Sequence, residues 1–194
     1  MKNCVVQGTR CWYSLTTDKK RKLPGTLELV TTESGNLACI NSVLANRIVL
    51  DGIRCGAIDA LSSYPIIRTE VRYGEENSRI DIMLENSNNI CFVEVKNVTL
   101  DMGGGLALFP DSVTSRGSKH LRELMRVVTL GHRAILFFCV QINGIDRLGV
   151  ASDIDADYAH MLLQAIDIGV EVMAWKCQVT QFSNKLIGPI DLIF

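Results

Sequence analysis

Two acidic residues and one lysine in the middle of the chain are spaced for metal-assisted chemistry on a phosphate ester. The segments RIDIMLE and ICFVEVK predict two strands of a hairpin whose loop is Asn86–Asn89. If the residues that flank this loop face each other, Asp81 stands directly opposite Glu94, with Cβ atoms about 4.5–5.5 Å apart. Side chains alternate between the two faces of a strand, so Lys96 projects on the same side as Glu94.

Two carboxylates that face each other across a strand pair repel, and a divalent cation between them would relieve that repulsion. Mg²⁺ and Mn²⁺ prefer oxygen ligands, and such a cation activates water for attack on phosphorus. Lys96 could position that water or stabilise the phosphoryl oxygens. The sequence therefore predicts Asp81, Glu94 and Lys96 as a catalytic set, with Asp81 and Glu94 as metal ligands. This prediction depends on the register, because a slip of one residue would turn Asp81 to the other face of the sheet. The alternative is an ordinary half-exposed strand, on which polar residues also alternate.

One further acid, Glu70, lies a strand earlier in RTEVRYG. A third carboxylate could hold the same cation or a second one, so Glu70 is a predicted metal ligand. The alternative is an ordinary solvated side chain.

Two basic segments are candidates for contacts with the DNA backbone. The first is a predicted hairpin loop in TTDKKRKLPG. The second is the amphipathic helix in SKHLRELMRVVTL, which carries basic residues away from its apolar stripe and offers free amides to a phosphate at its N-terminus. Each could instead be a solvated surface, and the helical histidine could be structural. The predicted DNA-contacting residues are Lys19, Lys20, Arg21, Lys22, Arg116, Lys119, His120 and Arg122.

The elements that position these residues indicate a mixed α/β protein. Residues 1–40 are rich in β-forming residues, and GGGLALFPDS is predicted to be a loop. From residue 41 the predicted order is helix, three strands, helix, strand, helix, strand. The alternation of strands and helices toward the C-terminus implies parallel strand pairing there. The hairpin in the middle of the chain adds an antiparallel part to the sheet. We therefore expect a β domain over residues 1–40 and a mixed sheet flanked by helices over residues 41–194.

Composition and charge restrict the function classes. The chain has 194 residues, of which 47% are hydrophobic, and a net charge of −1. These values are typical of a folded domain and exclude a uniformly basic nucleic-acid coat. Its seven cysteines lack CxxC spacing, which favours free thiols in a reducing compartment. The N-terminus lacks a signal-peptide pattern and no apolar run could span a bilayer, so we expect a soluble, cytoplasmic protein. The oligomeric state stays open between a monomer and a homodimer.

Five stretches of the chain resemble the sugar fermentation stimulation protein A (SfsA) family: LTTDKKRKLPGTLELV, INSVLANRIV, TEVRYGEENSRIDIMLE, FVEVKNVTL and FPDSVTSRGSKHLRELM. The resemblance implies an N-terminal OB-like β-barrel and a C-terminal core similar to the PD-(D/E)xK nucleases. In that core Asp81 would be the first acid of the motif, and Glu94 with Lys96 would form its ExK. The family is described as DNA-binding, with a proposed regulatory role in sugar (maltose) utilisation.

The chain departs from the family pattern at its N-terminus. Family members usually carry a further stretch with a C-P-N-[ST]-G-x-M segment, and this chain begins at about the Met of that segment. An OB fold has five strands, so we expect only a partial barrel over residues 1–40.

Two functions remain open. The complete acid–acid–lysine set favours a DNA nuclease that depends on Mg²⁺ or Mn²⁺. The near-neutral charge and the family description favour a DNA-binding regulator of sugar metabolism without catalytic turnover.

Overall fold

The computed structural model describes residues 2–194, and they form a mixed α/β fold with three helices and three sheets. The helices are α1 (Val43–Arg54), α2 (Ser115–Thr129) and α3 (Ala156–Ile168), with a short 3-10 helix at Asp59–Leu61. The strands are β1 (Cys11–Leu15), β2 (Gly25–Thr31), β3 (Leu37–Cys39), β4 (Ile66–Tyr73), β5 (Ser78–Glu85), β6 (Ile90–Val98), β7 (Leu100–Gly103), β8 (Leu106–Phe109), β9 (Arg133–Val140), β10 (Arg147–Val150), β11 (Glu171–Val179), β12 (Asn184–Pro189) and β13 (Asp191–Ile193).

The largest sheet has six strands in the order β12-β11-β9-β6-β5-β4. The three strands β6, β9 and β11 run parallel, whereas β4, β5 and β6 form an antiparallel meander and β12 pairs antiparallel with β11. The predicted combination of a parallel part with an antiparallel hairpin is confirmed. The candidate residues Asp81 and Glu94 lie on β5 and β6, where the antiparallel part of the sheet meets the parallel part.

Strand β9 shows that helices cover this sheet on both faces. Leu136 and Phe138 pack in one core cluster with α2 and α3, and Ile135 and Phe137 pack in a second cluster with α1. Every residue of β9 after Arg133 is buried. A continuous apolar run is what a strand between two helical layers requires.

The second sheet, in the order β13-β10-β8-β7, corrects part of the sequence interpretation. The segment GGGLALFPDS is not a loop, because its LALF residues form β8 and pair in parallel with β10. Its three glycines, Gly103–Gly105, all have positive φ and turn the chain from β7 into β8. Glycine tolerates that conformation without steric cost, so the glycines mark a tight turn between strands. The strand in VEVMAWKCQVT is also not the last one, since β12 and β13 follow it.

The first three strands form an open antiparallel sheet in the order β1-β2-β3, and the described residues do not close it into a barrel. The expected partial OB-like barrel is therefore not confirmed. The physical reason lies in β3, which pairs with β2 and, instead of closing on β1, forms a bridge between Ala38 and Ile142, beyond the end of β9. Leu29 and Cys39 accordingly belong to the same core cluster as α1.

The buried carboxylate of Asp101 ties this N-terminal sheet to β7. Its Oδ2 accepts hydrogen bonds from Thr32 Oγ1 at 2.7 Å and from Asn36 Nδ2 at 2.9 Å. Its Oδ1 accepts the backbone amide of Gly103 at 2.8 Å. Asp101 is only 1% exposed, so these three donors take the place of water around the carboxylate.

Within residues 2–194, no helix is long and apolar enough to cross a membrane.

Candidate active site

The hairpin register predicted from the sequence is confirmed. Strands β5 and β6 pair from Glu85 opposite Ile90 to Ile82 opposite Val93. The side-chain oxygen of Asn86 accepts two backbone amides within the loop, which stabilises the turn. This register continues toward Asp81 opposite Glu94, but the backbone pairing stops one residue before them.

Backbone pairing is interrupted at Asp81 on both sides of β5. The β5–β6 pairs end at Ile82, and the β4–β5 pairs skip Glu70 and Asp81. Glu70 has a φ of 55°, which is uncommon for a residue with a side chain and often marks a functional site. Ile80 and Ile82 belong to opposite core clusters, although residues two apart on a regular strand share a face. The strand is thus irregular at the residue that is a candidate ligand.

The carboxylate of Asp81 accepts one hydrogen bond from a backbone amide and one from a side chain. Its Oδ2 accepts the amide of Val95 at 2.7 Å, and its Oδ1 accepts Nδ2 of Asn46, on α1, at 2.7 Å. Burial, and then the charge of Glu94, raise the pKa of Asp81 to about 6, while these two hydrogen bonds act in the opposite direction. A carboxyl group that resists ionisation in this way gains stability from a nearby cation.

Glu94 is 2% exposed and only one of its oxygens has partners. Its Oε1 accepts a hydrogen bond from Lys96 Nζ at 2.8 Å and lies in close contact with Nδ1 of His120. Its Oε2 is buried without a hydrogen-bond partner among residues 2–194. Burial opposes ionisation of Glu94, but the contacts with His120 and Lys96 outweigh it and hold the pKa below its usual value. Glu94 is therefore an ionised carboxylate with one free oxygen.

His120 connects Glu94 to the first turn of α2. Nε of Arg116 donates to Nε2 of His120 at 3.4 Å, while Nδ1 of the same ring contacts Glu94 and lies 3.0 Å from Nζ of Lys96. The helix is fixed at this end because Thr114 Oγ1 accepts the amide of Gly117 at 2.9 Å, as an N-cap residue does. The backbone of Thr114 is in turn held by Asp155 at the start of α3, at 2.8 Å.

An open cavity of about 620 Å³ lies beside these residues, between β4, β5, α1 and α2. Its wall contains acids, bases and neutral polar groups, and it includes the two carboxylates of Glu70 and Asp81. The basic part of the wall belongs to β4, β5 and α2. The lining residues are Ser42, Val43, Asn46, Glu70, Arg72, Asn77, Ser78, Arg79, Asp81, Arg116, Lys119 and His120. Glu94 and Lys96 lie behind His120, to which both are in contact.

Not all predicted residues come together at this cavity. Arg116, Lys119 and His120 line it, as do Glu70 and Asp81. The basic loop with Lys19, Lys20, Arg21 and Lys22 is exposed between β1 and β2 and does not line it. Arg122 is also outside, and its Nε and Nη2 donate to the carboxylate of Glu76, at 2.9 and 2.8 Å.

Seven of the twelve cavity residues were not predicted as site residues from the sequence, and three of them, Asn46, Arg72 and Arg79, carry side chains that could bind a ligand. Asn46 depends on how α1 packs against β5, which no local pattern shows. Arg72 and Arg79 face each other across β4 and β5. The turn signal in YGEENS could have identified that pair, because a turn closed between Tyr73 and Ser78 places the two arginines opposite each other.

Residues 2–194 contain no ready-made group of three or more His, Cys, Asp or Glu side chains that could hold a metal ion. The site instead offers the two neighbouring carboxylates of Asp81 and Glu94, with Glu70 in the same cavity wall as Asp81. Mg²⁺ sites are often built in this way, with one or two carboxylates and with water and substrate phosphate as the remaining ligands.

Comparison with known proteins identifies the family of this chain. Residues 43–183 match the family model described as sugar fermentation stimulation protein RE domain. A sugar fermentation stimulation protein homolog of Teredinibacter turnerae is 50% identical over 186 residues, which are 96% of this chain and 79% of that protein. The homolog of Pseudomonas syringae is 46% identical over 181 residues, 93% of this chain and 76% of that protein. The structure of SfsA from Pyrococcus furiosus in complex with Ca²⁺ shares the fold, with a TM-score of 0.84 and 24% identity over 95% of this chain and 78% of that one. The chain belongs to the SfsA family.

Proposed function

We propose that this chain binds DNA in the cytoplasm and hydrolyses phosphodiester bonds with a divalent cation held by Asp81 and Glu94. The observation that carries the proposal is the buried Oε2 of Glu94, which has no partner among the described residues. Leaving a buried carboxylate oxygen unpaired is costly, and a cation would satisfy it. The charge of Glu94 acts on Asp81, which supports a location of the two carboxylates close to each other.

The donor set fits a hard divalent cation such as Mg²⁺ or Mn²⁺. All candidate ligands are carboxylate oxygens, from Asp81 and Glu94 and, as a third, Glu70. The Pyrococcus furiosus relative was solved with Ca²⁺, which also takes oxygen ligands. When bound, such a cation activates water and neutralises charge on a phosphoryl group.

The remaining residues would bind the substrate and direct the proton chemistry. The ammonium group of Lys96, held by Glu94 at 2.8 Å, would orient the attacking water and stabilise charge on the phosphoryl oxygens. Arg116, Lys119 and His120 extend from the first turns of α2 into the cavity, where they would contact a phosphate. The scissile bond would then lie between α2 and the carboxylates.

Basic residues outside the cavity would hold the DNA along its backbone. Lys19, Lys20, Arg21 and Lys22 form one such group on the β1–β2 loop. Arg122 would join them by exchanging its bond to Glu76 for a phosphate.

Cleavage of single- and double-stranded DNA in Mg²⁺, Mn²⁺ or EDTA tests this proposal. We expect cleavage that needs the metal and is lost in Glu94→Gln. Glu85→Gln is the matched control, because Glu85 lies on the same hairpin but outside the cavity, paired with Arg68 at 3.4 Å. Cleavage that survives in Glu94→Gln, or an equal loss in Glu85→Gln, would contradict the assignment.

A DNA-binding regulator without turnover is the second candidate, and the contacts of one carboxylate oxygen favour it. Glu94 Oε1 is already occupied by Lys96 and His120, so the chain partly neutralises this carboxylate by itself. This candidate predicts salt-sensitive retention of DNA and no cleavage in either metal. The same assay, read once for cleavage and once for binding, separates the two candidates.

A further inference from the structure

Two arginines face each other directly across β4 and β5, and neither is ion-paired with an acid of the described residues. Arg72 and Arg79 are paired residues of the β4–β5 ladder, and both are exposed. Among residues 2–194, neither side chain has a hydrogen-bond or ion-pair partner. Like charges at directly opposed positions of a strand pair are destabilising. The pair therefore opposes folding in the absence of a ligand.

The arginines near this pair, in contrast, form ion pairs with acidic residues. Arg68, on the same strand, pairs with Glu85 at 3.4 Å. Arg122 and Arg126 of α2 bind the acids of the β4–β5 turn, Glu76 and Glu75 respectively. Ion pairing thus surrounds the hairpin but leaves out Arg72 and Arg79, the two hairpin arginines that line the cavity.

The location of the pair indicates what would neutralise it. Arg72 and Arg79 share the cavity wall with Asp81 and Glu70, and Lys119 of α2 lies in the same wall. Asp81 is a carboxylate whose proposed partner is a cation, so the basic groups are free to take an anion. A guanidinium presents a planar fork of donors that matches the oxygens of a phosphate, and two such forks side by side surround one phosphate group.

We propose that Arg72 and Arg79 form a clamp for a second phosphate of the nucleic-acid strand, next to the phosphate that is cut. This inference rests on the proposed function and narrows its substrate class. The substrate is a polynucleotide with a phosphate beside the scissile bond, either an internal diester or a terminal monoester. An isolated phosphodiester without that neighbour would be bound poorly.

Binding of a short fluorescent oligonucleotide at several salt concentrations tests the clamp without requiring cleavage. The assay uses the full chain in Ca²⁺ and in EDTA, with the double variant Arg72→Gln/Arg79→Gln. We expect roughly tenfold or more weaker binding at low salt, and a salt dependence that is less steep by about one unit for the lost phosphate. Arg68→Gln removes one arginine charge from β4 outside the cavity and should stay within about twofold of the unmodified protein.

Substitution of single phosphates locates the ligand. A neutral methylphosphonate at the clamped linkage should weaken binding to the unmodified protein but not to the double variant. If the ligand is terminal, removal of the 5′- or 3′-phosphate should have that effect instead, and internal substitutions should not. Equal sensitivity of both proteins at every position would overturn the clamp.

Thermal unfolding without DNA separates loss of the clamp from loss of the fold. Removing two opposed charges should leave the midpoint unchanged or raise it. If the double variant unfolds at a lower temperature than the unmodified protein, the variant Arg72→Lys/Arg79→Lys is used instead. It keeps both positive charges but lacks the planar guanidinium groups. This variant should keep the salt slope and bind more weakly, and binding equal to the unmodified protein would overturn the clamp.

The outcomes also distinguish this inference from the proposed function. A protein that cleaves DNA, loses cleavage in Glu94→Gln and keeps its full salt slope in the arginine double variant refutes the clamp alone. A protein that retains no DNA in either condition refutes both.

Discussion

The carboxylate of Asp81 accepts the backbone amide of Val95 at 2.7 Å, so a side chain of β5 takes the place of backbone pairing with β6. The amide belongs to β6, which pairs with β9 from Cys91 to Val98, and it is therefore rigidly held. Asn46 fixes the other oxygen from α1. Asp81 is thus positioned before any ligand arrives, which reduces the ordering that binding would require.

Ionisation of Asp81 should destabilise the metal-free protein as the pH rises through about 6. The folded-state pKa is raised from 3.8 to about 6, so its stabilising contribution is complete at low pH and is lost as the pH increases past the folded value. A shift of this size corresponds to at most about 3 kcal/mol, and we expect about 1–2 kcal/mol because the residue is partly open to solvent. In urea unfolding with EDTA, Asp81→Asn should gain stability over the unmodified protein between pH 5 and 8. Asp51→Asn, on the exposed side of α1, is the control for the same substitution outside the site.

Divalent cations should raise the melting temperature of the protein. At a hundredfold excess over the dissociation constant, binding to the folded state contributes about 2.7 kcal/mol, or roughly 5–10 °C for a chain of this size. Calorimetric scans in Mg²⁺, in Mn²⁺ and in EDTA measure this shift of the melting temperature. Glu94→Gln should lose this shift and Glu85→Gln should keep it. An equal shift in both variants would place the cation elsewhere.

Lys96→Met should separate cation binding from chemistry. Lys96 donates to Glu94 but cannot ligate a cation through its ammonium group, so the cation-dependent melting shift should remain. Single-turnover cleavage should fall by about 100-fold or more, as expected for a group that stabilises developing charge. A variant that cleaves at the original rate would remove Lys96 from the catalytic set.

Gly74→Ala should destabilise the protein strongly, because the β4–β5 turn rests directly on α2. Gly74 has a φ of 69°, and an added Cβ would overlap the buried carboxylate of Glu123. That carboxylate also accepts the amide of Glu76 at 2.6 Å, so it cannot move without losing a bond. We expect a loss of about 2–4 kcal/mol in urea unfolding.

Gly56→Ala is the control for the backbone conformation alone. Gly56 has a φ of 74°, and a Cβ added there would have nothing within 4 Å, so its cost should be about 1 kcal/mol. Equal losses at the two glycines would show that the contact with Glu123 is unimportant.

The hairpin that carries the candidate site could be predicted because its determinants are local. Alternation along two strands and the length of the loop between them set the register of Glu85 against Ile90. The family resemblance identified the same three residues independently. The interruption at Asp81 could not be predicted, since it depends on Val95 and Asn46, which approach from two other elements.

Other parts of the fold depend on long-range pairing that short segments do not reveal. Strand β10 has four residues and includes Gly149, so it lacks a strand signal of its own and exists through its pairing with β8 and β13. The same holds for β8, whose apolar residues follow directly on glycines that are typical of a loop. Charged residues on an exposed edge strand resemble ordinary surface, and the opposition of Arg72 and Arg79 follows only once the β4–β5 turn sets the register.

The network around Asp101 has a consequence for the order of folding. Its contact with Thr32 joins residues 69 positions apart in the chain. Closing so long a loop is entropically unfavourable until other contacts have shortened it, so this contact should form late. Thr32→Ala should then accelerate unfolding and leave the rate of folding nearly unchanged. The N-terminal sheet would be the last part to join the structure and the first to leave it.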